Sequence, residues 1–356
     1  MTIEKATSLR DGVLTLAGVA LLLALLRASS DIVVPFLFSL FITIIAVTPL
    51  NWLKQRGVSN ALSIIIVMVS VVIVLALIAL MLGNTATQFN EALPGYQARL
   101  NDLTNEATTW LSTKGIPINE TGILDALDPS QVMAFANTFV SGIGDALSNA
   151  MLILFMVIFM LTEALGFPRK VSAIGGEGAD ITLARLTEVV NSINRYAAAK
   201  AAVSLATGIL IWIALEIIGL DFAPLWGFLA FVLNFVPNIG SILAAIPAVI
   251  LAMLQLDPVM VLVVIGVYVA VNMIIGNVVE PMFMGQRVGL SILAVFLSLL
   301  FWGWMFGAVG MLLSVPLTMV VKSAAQTHPQ IRWLAVLLSP APADNAADNS
   351  TVASKK

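Results

Sequence analysis

The sequence predicts an all-α polytopic membrane protein with about six full spans, two broken or re-entrant helical hairpins and a weak inverted repeat in its C-terminal half. Three observations carry that expectation. Of 356 residues, 60% are hydrophobic and 10% charged, whereas an ordinary soluble domain is about 25% charged, so water is not the main solvent of this chain. Apolar segments fall at about 13–26, 32–53, 61–83, 148–165, 201–218, 225–254, 259–279 and 290–321. Several reach or approach the roughly 20 residues that cross about 30 Å of hydrocarbon. Two of them, 225–254 and 290–321, have the wrong length and a broken middle.

The first segment follows Lys5 and Arg10 and so imitates a signal peptide. Its end, Arg27-Ala28-Ser29-Ser30-Asp31, lacks a clear small-x-small cleavage site, and the segment reads as a retained span. Orientation follows from basic residues near span ends. Lys5 and Arg10 precede the first span, Lys54 and Arg56 follow the second, and Arg169, Lys170, Arg185, Arg195 and Lys200 lie between the fourth and fifth. Lys322 and Arg332 follow the last, so both termini are expected in the cytoplasm.

Residues 84–147 are assigned to the opposite face, since they carry seven acidic residues (Glu91, Asp102, Glu106, Glu120, Asp125, Asp128, Asp145) against Arg99 and Lys114. Phe89, Leu93, Tyr96, Leu100, Leu103, Ala107 and Trp110 recur at alternating spacings of four and three, a coiled-coil-like stripe. Asp128-Pro129-Ser130-Gln131 has the cap, first-turn Pro and third-position Gln of a helix start. An extracytoplasmic helical hairpin is expected, its two apolar faces buried on each other or on neighbouring subunits. Leu183, Leu186, Val190, Ile193 and Ala197 share a face and predict a cytoplasmic amphipathic helix that leads into the fifth span. The expected divisions are 1–83 (three spans), 84–147 (outer hairpin), 148–200 (fourth span and amphipathic helix), 201–321 (a core holding both broken segments) and 322–356, a cytoplasmic tail disordered from about 339.

The chain has no cysteine and one histidine, His328, which excludes disulfides, thiolate chemistry and the usual metal sites. No Walker sequence occurs, Gly175-Gly176-Glu177-Gly178 is only a Gly-rich loop, and no hydrolytic constellation is present. No enzyme activity, cofactor, metal or ATP is expected. A net charge of −3 with scattered Lys and Arg gives no nucleic-acid footprint.

The segment 225–254 has roughly 30 residues, about 45 Å of straight helix, too long for one span and too short for two. Asn234 and Pro237-Asn238-Ile239-Gly240 break its centre. The segment 290–321 repeats the problem around Trp302-Gly303-Trp304 and Gly307. Pro237-x-x-Gly240 with Pro247, and Gly307-x-x-Gly310 with Pro316, form a weak repeat about 70 residues apart. Each segment is either a kinked span or a hairpin that leaves on the face it entered. If both are hairpins, they open to opposite faces. Non-helical backbone at membrane depth is tolerated where protein or a water-filled cavity satisfies it, as in transporters built from inverted repeats. The competing reading is that Pro and Gly merely permit kinks and close packing.

Tyr268, Asn272, Gly276 and Glu280 are four apart on one helix, with Asn277 adjacent, and Glu280-Pro281 ends it. Such polar groups in lipid are costly and should face a cavity or partner helices. A path for a small polar solute is therefore expected at Asn234, Pro237, Asn238, Gly240, Asn272, Gly276, Asn277, Glu280, Pro281, Gly303, Gly307 and Gly310. Glu280 is a candidate proton or monovalent-cation carrier, or pairs with Arg287; Glu163 is the second candidate, although it and Glu216 sit near span ends.

Phe235-Val236-Pro237-Asn238-Ile239-Gly240 with Pro247, then Asn277-x-x-Glu280-Pro281, Gly285, and Gly307-x-x-Gly310 with Pro316, together resemble the autoinducer-2 exporter (AI-2E) family of bacterial inner-membrane permeases. The resemblance covers nearly the whole chain in span order. It implies a homo-oligomeric permease that exports a small polar signalling molecule in some members and exchanges sodium or lithium for protons in others. A non-transporting scaffold that recruits partners through its outer hairpin is a further reading.

Overall fold

The computed structural model describes residues 3–114, 129–175, 179–237, 239–284, 289–327 and 329–340. Asp128, the Gly-rich loop at 176–178, Asn238, Arg287, His328 and the tail beyond 340 lie outside them. Every regular element among the described residues is helical. α1 (Ile3–Ala28) and α2 (Ser30–Gln55) join through Ser29 alone, where bonds from Ser29 N to Leu25 O and from Val33 N to Ser29 O carry the chain round a bend. α3 (Asn60–Thr113) is one helix of 54 residues, about 80 Å long, so the third span and the stripe-bearing outer helix form a single rod. α4 (Pro129–Gly175) starts at Pro129, whose fixed φ suits a first turn, and runs unbroken through the fourth apolar segment.

α5 (Ala179–Ile218) joins the segment read as an amphipathic helix directly to the fifth span. The segment read as an amphipathic helix at the membrane surface is the first half of a continuous 40-residue helix, and Ile193, Ala197 and Lys200 are buried in the bundle. No Pro or Gly lies between Ala179 and Thr207 to break the helix, and the apolar face reads equally well as a core face. Thr207 itself is buried, and its hydroxyl donates to Val203 O at 2.9 Å, so the helix keeps its own polar group satisfied there.

Both broken segments fold back on themselves. In the first, α6 (Ala223–Leu233) and α7 (Gly240–Gln255) flank the break, and Gln255 closes the base: its Nε2 donates to Gly219 O and its Oε1 accepts from Asp221 N, each at 2.9 Å. α8 (Pro258–Ile274), a π turn (Ile275–Val279) and α9 (Glu280–Met284) come next. The second, α10 (Ile292–Thr327), has helical arms at 292–305 and 308–327 on either side of Phe306 (φ −129°, ψ 15°) and Gly307 (φ 64°, ψ −144°). Trp302 Nε1 donates to Thr318 Oγ1 at 3.0 Å, although residues 16 apart on a straight helix are about 24 Å apart. Lys322 Nζ closes this base by donating to Gly289 O. A 3₁₀ turn (Pro329–Ile331) and α11 (Arg332–Leu338) end the described chain, with Ser291 N bonded to Leu338 O at 2.9 Å.

The weak repeat thus has a geometric counterpart. Gly219 (φ 82°) and Gly289 (φ 64°) enter their hairpins in the left-handed region, and each offers its carbonyl to the end of the returning arm. Gly240 and Gly310 begin the return against the outgoing backbone: an added Cβ would lie 1.7 Å from Leu233 O and 2.0 Å from Trp302 O. The first base lies between α5 and α8 and the second follows α9, so the hairpins open at opposite ends of α8.

Among the described residues, six helices are long and apolar enough to cross a membrane: Ser30–Gln55, Asn60–Phe89, Asn149–Ala173, Leu183–Ile218, Pro258–Phe283 and Ile292–Thr327. The last is the second hairpin, so its length is not that of one straight span. In α1 the described apolar stretch is Ala17–Ala28, and the Arg27 guanidinium lies 4.4 Å from the Trp304 ring centroid near the second hairpin's tip. Of the outer stripe, Phe89 and Tyr96 are the members whose side chains the structure describes. Phe89 and Tyr96 pack on the first hairpin's foot, with Phe89 and Phe222 ring centroids 5.7 Å apart and Tyr96 Oη donating to Asp221 Oδ2 at 2.7 Å. Burial, and then the bond to Asp221, push the Tyr96 phenol above its ordinary range, which keeps this donor protonated.

The glycine tips are testable by thermal unfolding in detergent. Gly240→Ala and Gly310→Ala each force backbone to move and should cost about 1–3 kcal/mol, whereas Gly83→Ala, with nothing within 4 Å of its added carbon, should not lower the midpoint. Equal midpoints for all three would refute the close-packed tips.

Candidate functional site

Both hairpins dock on one face of α5. Tyr196, Lys200 and Ser204 are four apart, a spacing that keeps side chains on one helix face. Tyr196 packs with Val315 and Met319 on the returning arm of the second hairpin. One turn on, Lys200 Nζ donates to Glu280 Oε1 at 2.6 Å. Another turn on, Ser204 Oγ accepts from Asn234 Nδ2 at 3.0 Å, and both residues are buried at the first hairpin's tip. α6 reaches that point by running antiparallel to α5 with the backbones almost touching: a Cβ on Gly208 would lie 2.7 Å from Gly227 O, and one on Gly227 2.7 Å from Gly208 O.

The ion pair is asymmetric. The Lys200 side chain is 3% exposed and that of Glu280 26%. An ammonium at that depth costs several kcal/mol without a counter-charge, so Glu280 is what permits a lysine there. The π turn sets the carboxylate's direction. Steps of four along an α-helix drift by about 40°, which carries Asn272 away from the buried face of Tyr268. The wider i→i+5 turn at Ile275–Val279 holds an extra residue and swings Glu280 back toward α5.

The other expected residues divide. Pro237 and Gly240 form the first break, and Gly303, Gly307 and Gly310 the second, where a Cβ on Gly303 would meet Met311 Cγ at 2.8 Å. The tips join different apolar clusters, the first around Leu225, Ala230 and Ala244 and the second arm around Phe41, Ile193 and Leu313. Gly276 is half-buried in the π turn. Asn272, Asn277 and Pro281 are exposed, and neither amide bonds another described residue. Asn238 and Arg287 lie outside the described residues; Glu280's partner is Lys200. Glu163 is exposed and pairs with Lys170 on the same helix, apart from both hairpins. Tyr268 Oη and Ser314 Oγ are buried with no partner among the described residues, leaving bonding capacity for a polar guest or water.

A cleft of ≈ 510 Å³ opens at the first hairpin's foot, lined by Asn84, Thr85, Gln88, Glu216 and Asp221 among others. Phe222 beside it has φ 60°, a strained value for a bulky residue that its packing on Phe89 holds in place. Tyr196, Lys200 and Ser204 escape a reading of the sequence because Lys200 counts there with the basic residues of a cytoplasmic stretch. The available signal is three polar residues at helical spacing, continuous with an apolar helix.

A family model described as AI-2E family transporter matches residues 15–330, and the chain belongs to that family. A protein of Haemophilus influenzae, provisionally named as a transport protein, is 38% identical over 337 residues, covering 93% of this chain and 97% of its own. YhhT of Escherichia coli K12 bears a similar provisional name and is 35% identical, covering 92% and 93%. The AI-2 transport protein TqsA of the same organism is 34% identical, covering 92% and 95%. The chain is a multi-pass membrane transport protein of a bacterial family.

The buried pair has a measurable signature. Lys200→Met leaves a carboxylate without its partner and should cost about 3 kcal/mol in thermal unfolding, while Lys200→Met with Glu280→Gln should recover most of that loss. A double variant no more stable than the single would mean that the pair is not coupled.

Proposed function

We propose that this AI-2E family member is a secondary transporter that exports a small polar organic solute across the bacterial inner membrane, without enzymatic chemistry, cofactor or ATP. AI-2 heads the candidate solutes because one relative, TqsA, is named for its transport. The observation that carries the reading is the convergence of two hairpins, opening at opposite ends of α8, on the Tyr196–Lys200–Ser204 face of α5. Broken helices at membrane depth are the common material of transporter binding sites, since their freed backbone groups and neighbouring amides can hold a solute.

In this reading the hairpins are re-entrant, each gates one side, and both termini are cytoplasmic. The solute is held near Asn234 and the Pro237–Gly240 break, with Tyr268 and Ser314 supplying unclaimed hydroxyls. The cleft at Asp221 and Glu216 is its outer mouth. Asn272 and Asn277, exposed on an apolar helix, face another copy of the chain or a water-filled space, which favours a homo-oligomer. A second reading, sodium or lithium exchange for protons, is favoured by the Lys200–Glu280 pair beside the hairpins.

Counterflow in proteoliposomes, with AI-2 among several small polar solutes and with imposed sodium and proton gradients, separates these readings. Asn234→Leu should still insert but lose at least about tenfold in flux, the equivalent of about 1.4 kcal/mol of lost solute stabilisation. Unaltered flux in that variant would remove the first hairpin's tip from the path, and flux indifferent to both gradients would remove ion exchange.

A further inference from the structure

We infer that Lys200 is a tethered stand-in for a coupling cation: its ammonium occupies Glu280 in this conformation and must be displaced before that carboxylate can take an alkali-metal ion. The inference rests on the transport reading only for its purpose, since occupancy of Glu280 can be measured without transport.

Four observations carry it. The two partners differ in access, with Glu280 open on one side and Lys200 closed in, so an ion arriving from outside meets the carboxylate first. Lysine's ammonium has three donors, and Glu280 Oε1 is its one hydrogen-bond acceptor among the described residues, so the bond that positions Lys200 is a single contact. Ser204, one turn along the same face, has a hydroxyl oxygen that accepts from Asn234 and has a second lone pair. A displaced ammonium can therefore turn from the α9 carboxylate toward the first hairpin's tip. Finally, Glu280 comes directly after a π turn, a local irregularity of the kind found at functional sites, and any change in that turn rotates the carboxylate relative to α5.

Among the described residues, the remaining charged and titratable groups nearby do not offer Glu280 another cation. Tyr196 is within its field but carries no positive charge. Arg195 is exposed and donates to Ser192 Oγ, and Lys322 donates to Gly289 O. One carboxylate with one resident ammonium is a site for a monovalent ion, and the described residues hold no cluster of three or more ligating side chains for a divalent metal. Ion uptake then hands Lys200 from Glu280 to the tip that holds Asn234, which links the second hairpin's entrance to the first hairpin's end.

The test is thermal unfolding of the full-length protein in detergent against lithium, sodium or potassium chloride, with choline chloride at equal ionic strength as control. Binding to the folded state raises the midpoint in proportion to the logarithm of ion concentration above saturation. Lys200→Met should respond to lithium or sodium at concentrations at least about tenfold below any that move the wild type, a difference of about 1.4 kcal/mol. Lys200→Gln serves as the second variant should Met at this position prevent folding. Glu280→Gln, alone or combined with either, should not respond. The inference is overturned if the Lys200 variants respond no more than wild type, if choline acts equally, or if the response survives Glu280→Gln. Flux measured in parallel keeps the two proposals apart: ion-sensitive Lys200 variants of a protein that moves no solute would discard solute export alone, and a working exporter with ion-blind variants would discard the stand-in alone.

Discussion

In hydrocarbon, each backbone N–H and C=O must find its partner inside the protein, and both broken segments of this chain meet that constraint at their turns. A helix interrupted at depth leaves polar groups bare unless the chain turns sharply and packs at once against something that covers the turn. Here Val236 N and Gly240 N return to Leu233 O and Val236 O within the first break, and Gly240 lies directly on the outgoing arm. In the second break Gly310 lies on Trp302 in the same manner. At the other end of each hairpin a side chain from the returning arm caps the carbonyl of a left-handed glycine. The hairpins are closed units whose polar ends are clasped, and this is what allows them to sit among spanning helices.

Closed units of this kind need a surface to rest on, and α5 supplies it. Its glycine at 208 lets α6 approach to backbone contact, while Ile193 and Ala197 receive Leu313 from the second hairpin. The same helix carries a group that is costly to bury, the Lys200 ammonium, between those two docking points. Placing a charge there has an energetic logic only if its counter-charge is equally fixed, and the π turn before Glu280 is the local distortion that does so. Structure and electrostatics therefore converge on one stretch of helix that belongs to neither hairpin.

The membrane fold is legible in the sequence because hydrocarbon thickness makes length and apolarity decisive, and because Pro237, Gly240, Gly307 and Gly310 mark breaks that no straight helix tolerates. Glu280 and Asn234 are legible for the related reason that polar groups stand out in apolar runs. The partners of those residues are not. Lys200 and Ser204 follow a polar stretch, and composition cannot tell a basic loop from a basic helix whose inner face is buried. Asn272 lies off the face of Tyr268 and Glu280 because a four-residue spacing does not extend unchanged through a π turn, which leaves no trace in hydrophobic periodicity. That Tyr96 and Phe89 of the outer stripe meet the foot of the first hairpin is equally illegible, because it is a contact between segments far apart in sequence.

α3 has no loop between its membrane portion and the part that grips Asp221 and Phe222, and it continues past that grip to Thr113. A helix of that length is stiff along its axis except where Pro94 removes a backbone hydrogen bond. Its end beyond Tyr96 runs on to Thr113 as the short arm of a lever, and Pro94, which has no N–H to donate, lies beside the pivot, so a push on that end bends the rod next to the hairpin's foot.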